Sequence, residues 1–153
     1  MKHRFETFTV LITKISRNVK RLKNKEMAEY DLKGPHISCL YYLYTAKGLT
    51  ATQLCERCEE DKATISRAIE YLEGRGFLTC QSKSIKRYNS LLTLTEKGEE
   101  AGKKIAEKID RILEDVGEGL SEEDRLSFYK SLAIISENLE KIERKSKNGK
   151  SNI

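Results

Sequence analysis

Apolar residues at Phe5, Phe8, Ile12, Ile15, Val19 and Leu22 recur in alternating steps of three and four. This is the seam of one long amphipathic helix, predicted to end near Tyr30. Gly34–Pro35 interrupts it. Proline in a first turn then opens a second helix that runs to about Ala46, where Lys47–Gly48 stops it. Thr50 caps a short helix from Ala51 to about Cys58, with Leu54 and Cys55 turned inward. Asp61 is a good N-cap for a fourth helix reaching about Gly74, and Gly76 marks the following turn.

The period then changes. Phe77 to Gln81 and Leu91 to Thr95, the latter alternating as "LLTLT", read as two short strands. The polar, basic "SKSIKRYNS" between them reads as a hairpin tip. Thr95 caps a helix whose apolar stripe runs through Ala101, Ile105, Ile109, Ile112 and Val116 to a stop at Gly117–Gly119. Ser121 and Asp124 resemble a capping box with Asp in place of Glu. Leu126, Tyr129, Leu132, Ile135, Leu139 and Ile142 stripe the last helix.

The fold class that follows is mainly α with a small β-hairpin wing. Residues 1–30 form an N-terminal dimerisation helix and 31–98 a winged helix-turn-helix. Residues 99–146 form C-terminal dimerisation helices, and 147–153 a flexible tail. The end helices present more apolar seam than the compact middle can cover, and uncovered seams of that size promote aggregation. A second copy related by a two-fold axis is the economical cover.

Composition narrows the picture. The 153 residues are 38% hydrophobic and 35% charged, which suits one domain with helical extensions. The run from Ile37 to Ala46, free of Lys, Arg, His, Asp and Glu, is far short of the roughly 20 apolar residues of a membrane span. Met1–Lys2–His3–Arg4 leads into an amphipathic pattern rather than a signal peptide, so a cytoplasmic location and no membrane partner are expected. The net charge of +5 owes much to the segment from Lys141 to Lys150, where five basic residues face the single acid Glu143. A basic tail of this kind is compatible with a polyanionic partner without requiring one.

Four cysteines, Cys39, Cys55, Cys58 and Cys80, include one CxxC. A closed zinc site would need Cys39 and Cys80 to converge on Cys55 and Cys58, because the only histidines are His3 and His36. Small buried thiols in a reducing compartment are the plainer account, and no cofactor is expected. A phosphate-cradling glycine loop, HExxH and GxSxG are all lacking, which argues against an enzyme.

The middle carries the functional signal. A short helix, a tight connection and a second helix with small polar residues at its start form a helix-turn-helix. A recognition helix enters the major groove near its N-terminus, so Lys62, Thr64, Ser66 and Arg67 would face bases and phosphates. Ile65, Ala68, Ile69 and Leu72 would anchor the helix from behind. Residues 61–75 hold three bases and three acids, and Glu56, Glu59 and Glu60 precede them, so phosphate is not strongly attracted there. Lys83, Lys86 and Arg87, with no acid from Ser82 to Leu94, compensate as a wing that reaches backbone or minor groove.

The segment "LTATQLCERCEEDKATISRAIEYLEGRGFLTCQSK…LLTLTEKG" resembles the MarR family of bacterial and archaeal transcriptional regulators. The likeness lies in the T-x-x-Q-L entry helix, the D-K-A-T-I-S-R-A-I-E-Y-L-E-G-R-G helix and the closing L-T-E-K-G. It implies a homodimer with interlocked terminal helices and two winged-helix lobes on a palindromic operator of double-stranded DNA. It implies a repressor released by a small aromatic ligand or by thiol oxidation. Tyr41, Tyr42 and Tyr44 are candidates to line an effector pocket, or are plain core packing.

The chain departs from the family at the wing. Where the family reads Asp-x-Arg-Arg, "SIKRYNS" lacks the aspartate, and Tyr88 stands at the second arginine. Cys80 replaces a frequent arginine, and no cysteine stands near the N-terminus, where the peroxide-sensing branch carries its own. Two alternatives follow: a dimeric winged-helix module that binds another protein, and a thiol- or metal-responsive regulator using Cys55 and Cys58.

Overall fold

The apolar seam at the N-terminus does form a helix. A π-helical turn at Glu6–Val10 leads into α1 (Leu11–Glu26) in the computed structural model, which describes residues 6–28, 31–80 and 90–149. Helix α1 stops short of the expected end near Tyr30, a residue outside those described. Met27, only 1% exposed, leaves the helix to enter the core, and Asp31 then takes a left-handed conformation at φ 55°. Burying Met27 and Leu32 requires that bend.

Pro35 sits in the first turn of α2 (Gly34–Ala46), where its missing N–H costs no hydrogen bond. Helix α2 is the centre of the core and buries Ile37, Cys39, Leu40 and Leu43. Lys47 ends it at φ 59°, and Gly48 follows at φ 141°, a region that side chains with a Cβ rarely adopt. Helix α3 (Ala51–Cys58) opens on a reciprocal capping box. The Gln53 N–H donates to Thr50 Oγ1 (3.3 Å), and the Thr50 N–H donates to Gln53 Oε1 (2.9 Å). Helix α4 (Lys62–Gly74) contributes Ile65, Ala68 and Leu72 to the same core.

Strands β1 (Leu78–Cys80) and β2 (Leu92–Leu94) pair antiparallel in the register Leu78↔Leu94, Thr79↔Thr93, Cys80↔Leu92. A further bridge joins Leu49 to Leu92 through two backbone hydrogen bonds of 3.2 and 2.9 Å. The sequence reading lacks it, because one paired residue has no periodicity to detect.

Helix α5 (Glu96–Val116) is capped by Thr95, whose hydroxyl accepts the Gly98 N–H (3.1 Å) and donates to the Gly76 carbonyl (2.7 Å). Gly98 explains the L-T-E-K-G ending. A Cβ there would collide with the Phe77 carbonyl oxygen, and one at Gly102 would lie 2.7 Å from Tyr44 Cβ. Two glycines one turn apart therefore let α5 press on the root of the hairpin and on α2. Ala101 and Ile105 complete the core.

Residues from Ile112 onward form a second unit: the end of α5, a turn with Gly119 at φ 84°, and α6 (Glu122–Gly149). Ser121 starts α6 by accepting the Asp124 N–H (3.1 Å). The Asp124 carboxylate accepts the serine hydroxyl (2.6 Å) instead of reaching back to the Ser121 N–H. Helix α6 runs three residues into the stretch 147–153 expected as a tail, after a polar face pinned by Glu137–Lys141 (3.8 Å) and Glu140–Arg144 (3.0 Å). Among the described residues none beyond Ile105 is buried, and no helix is long and apolar enough to cross a membrane.

Candidate nucleic-acid interface

Helices α3 and α4 are joined by a turn whose backbone does the bending. Glu59 adopts φ 53°, its N–H and that of Glu60 both donate to the Cys55 carbonyl, and Asp61 returns to an extended conformation as N-cap. The Asp61 carboxylate accepts the Thr64 N–H (2.8 Å) through one oxygen and the Thr64 hydroxyl (3.0 Å) through the other. These bonds to Thr64 hold the Asp61 carboxyl below the usual carboxylate value. Thr64 Oγ1 in turn accepts from Arg67 Nη2 (3.3 Å). The front of α4 is thus an ordered relay, Asp61 to Thr64 to Arg67.

Ile65, Ala68 and Leu72 are buried and Ile69 packs against them. Lys62 and Arg67 are exposed, while Thr64 and Ser66 are half-buried. One feature was not legible in sequence: the Thr64 hydroxyl already holds two partners within the chain, Asp61 and Arg67. Glu56, Glu59 and Glu60 are all exposed on the approach to the helix.

A cleft of about 470 Å³ lies between the start of α2 and this face of α4, lined by residues that include Lys33, His36, Thr64, Arg67 and Tyr71. His36 Nδ1 accepts the Lys33 N–H (3.1 Å) and so caps α2 from within. Its ring stacks on Tyr71, centroids 4.2 Å apart and planes 3° from parallel. Burial first, and Lys33 second, depress the His36 pKa, against the pull of Asp31. The acceptor role requires the neutral ring.

Lys83, Lys86 and Arg87 lie outside the described residues. The root of the hairpin is described, and there the Thr79 and Thr93 hydroxyls meet across the strands at 3.3 Å. Of the tyrosines, Tyr41 and Tyr42 make an edge contact (5.3 Å), whereas Tyr44 packs on Gly102 and under Lys47 Nζ, 4.4 Å from its ring centroid. None of the three lines the cleft beside α4.

The cysteines are arranged differently from their spacing. Cys39 is fully buried, and Cys55 and Cys58 are half-buried. Across α2 and α3 the Cys39 and Cys58 thiols act on each other's titration, and Cys55 also feels Cys58. The neighbouring Cys39 thiol, helped by Lys23, lowers the Cys58 pKa against the effect of burial, while Cys58 and burial raise that of Cys39; burial raises Cys55. Lys23 Nζ donates to Ser38 Oγ (2.6 Å), and its own pKa is lowered by burial. Among the described residues no group of three or more ligating side chains could hold a metal.

Comparison with known proteins matches this architecture. A family model described as MarR family covers residues 30–82. A MarR family transcriptional regulator from Listeria monocytogenes, solved in complex with a 26mer DNA, is similar at 25% identity over 84% of this chain and 85% of that one, with a TM-score of 0.76. A MarR transcriptional regulator from Methanosarcina mazei is similar at 25% identity over 90% and 92% of the two chains, with a TM-score of 0.75. The MepR–DNA complex of S. aureus shares the fold at 20% identity, over 86% and 97% of the chains, with a TM-score of 0.75. No curated protein matches in sequence. With the helix-turn-helix, the paired strands and the flanking helices in one order, the chain has the fold of the MarR family of winged-helix transcriptional regulators, and residues 30–82 match that family's model.

Proposed function

We propose that this protein is a homodimeric regulator that binds an inverted-repeat operator in double-stranded DNA, acts as a repressor and is released by a small aromatic effector. The observation that carries the DNA reading is the division of α4. Ile65, Ala68 and Leu72 are in the core, while the Asp61–Thr64 cap orders the outward end that bears Arg67. An arginine held this way presents a planar fork suited to guanine. Lys62 and Ser66 would contact phosphate or neighbouring bases, and Lys83, Lys86 and Arg87 would supply the wing. Two regulators of the same fold crystallised with DNA support the same assignment.

Selection of bound duplexes from a random-sequence library tests it. An inverted repeat is the expected outcome; recovery without any shared sequence would leave a protein-binding module as the better account. Lys86→Ala is expected to weaken binding to all duplexes alike and to flatten the salt dependence by about one unit.

The contact between Cys39 and Cys58 beside Lys23 favours a second reading, in which thiol oxidation rather than a ligand releases DNA. Cys39 joins Cys55 as a candidate partner of Cys58 in this reading. Peroxide treatment should then lower DNA affinity in the wild type but not in Cys58→Ser; equal affinity before and after treatment would dismiss it.

A further inference from the structure

Tyr71 is the hub of a contact that the proposed DNA interface leaves unused. Its hydroxyl lies 2.9 Å from the Asp31 carbonyl oxygen and 3.2 Å from Asp31 Oδ2. Arg75 Nη1 stands 3.2 Å from that hydroxyl and 3.5 Å from the same carboxylate oxygen. A phenol has one proton to give, which goes to Asp31, and lone pairs with which to accept from Arg75. The ring is held on its face by His36, itself fixed by the Lys33 N–H. Asp31 is pinned at φ 55°, with its N–H on the Ala28 carbonyl (3.1 Å).

Position gives this contact a role. Thr64, Arg67, Tyr71 and Arg75 follow one another at helical spacing along a single stripe of α4 and its cap. The front of the stripe offers Arg67 outward; the rear grips Asp31, in the turn just beyond α1. Apolar contacts through Ile65, Ala68 and Leu72 fix how deeply α4 sits, but they are non-directional and resist rotation about the helix axis only weakly. Hydrogen bonds to a backbone carbonyl are directional. An exposed ion pair at 3.5 Å adds little stability, so the contribution lies in orientation.

We propose that Asp31, Tyr71 and Arg75 are positioning residues: a joint that ties the rotation of the recognition helix to the α1–α2 turn, so that α1 sets the half-site spacing the dimer reads. The proposal rests on the DNA reading above.

The test is Tyr71→Phe, which keeps the ring and its stack on His36 and removes only the hydroxyl. The probes are the inverted-repeat duplex recovered by the wild type, the same duplex with one base pair added or removed between half-sites, and a scrambled duplex. A roughly three- to ten-fold loss is expected on the recovered duplex, the scale of one hydrogen bond. The scrambled duplex, the salt slope and the melting temperature should be unchanged, and the penalty for altered spacing should shrink. Arg75→Lys should fall between the two proteins. Should Tyr71→Phe melt lower than the wild type, Asp31→Asn, which keeps the carbonyl acceptor and removes the charge facing Arg75, carries the same comparison. Equal loss on recovered and scrambled duplexes, or an unaltered spacing preference, would overturn the joint alone. A wild type that prefers no duplex would overturn the DNA reading and the joint with it.

Discussion

The segment from Met27 to Ile105 and the helices at the two ends are built from the same amphipathic pattern, yet they end in opposite states. In the middle, α2 to α4, the paired strands and the start of α5 close over a core that holds, among the described residues, no buried polar side chain and no buried side-chain nitrogen or oxygen without a partner. At the ends the seams stay open. Ile15 is 52% exposed on α1, and Leu139 and Ile142 are 52% and 64% exposed on α6. A stripe of apolar residues predicts that a helix will be covered; it does not say whether the cover lies in the same chain. The middle finds its cover locally, and the exposed seams of the ends support the dimer proposed above.

That contrast breaks first at the seams. Ile15→Glu should remove about 2 kcal/mol of burial per subunit. A two-fold interface counts the loss twice, so association weakens about a thousandfold. Sedimentation should show a monomer whose middle keeps the wild-type hydrogen-exchange protection. Gly98→Ala is the converse: its Cβ has no room against the Phe77 carbonyl, so the middle should lose about 3 kcal/mol in urea denaturation. Subunits that remain folded should associate as before.

A smaller effect sharpens the division within α4. Arg67→Ala should cost about 1–3 kcal/mol at one operator position and relax base preference there, leaving stability near wild type. Competition between duplexes that differ at that position measures it; equal affinities for the wild type would show that Arg67 reads no base.

The smallest effect is that of pH on His36. Its pKa is lowered in the fold, so the neutral, hydrogen-bond-accepting ring is the form the fold favours. Its stabilisation is therefore complete above the ordinary histidine pKa and is lost as the pH falls through that value toward the depressed one. Stability should decline as the pH falls below the ordinary histidine pKa, and His36→Asn should show less of that decline in parallel denaturation curves.

Local features were legible because their causes are local. The caps Thr50, Asp61, Thr95 and Ser121 each act on a backbone N–H three residues on, and the stripes of α4 and α5 follow helical spacing. The order of helices, strands and helices followed from them, and with it the resemblance to the MarR family. The site was legible only in part. Arg67 stood out, but the engagement of Thr64 with both Asp61 and Arg67 did not, since Thr64 reads the same whether its hydroxyl is free or bound. Helix α1 ends at Glu26, earlier than its seam suggests, because Met27 leaves the helix for a core that the seam does not describe.

By itself the sequence determined where the chain turns, which helix faces are apolar and which helix bears the polar front, because caps, glycines and periodicity act within a few residues. Only the tertiary structure decided which distant residues meet. The Leu49–Leu92 bridge, the Lys23–Ser38 hydrogen bond, and the grip of Tyr71 on Asp31, 40 residues away, belong to this class. Such contacts depend on how helices pack, and packing is a property of the closed core rather than of any short stretch of chain.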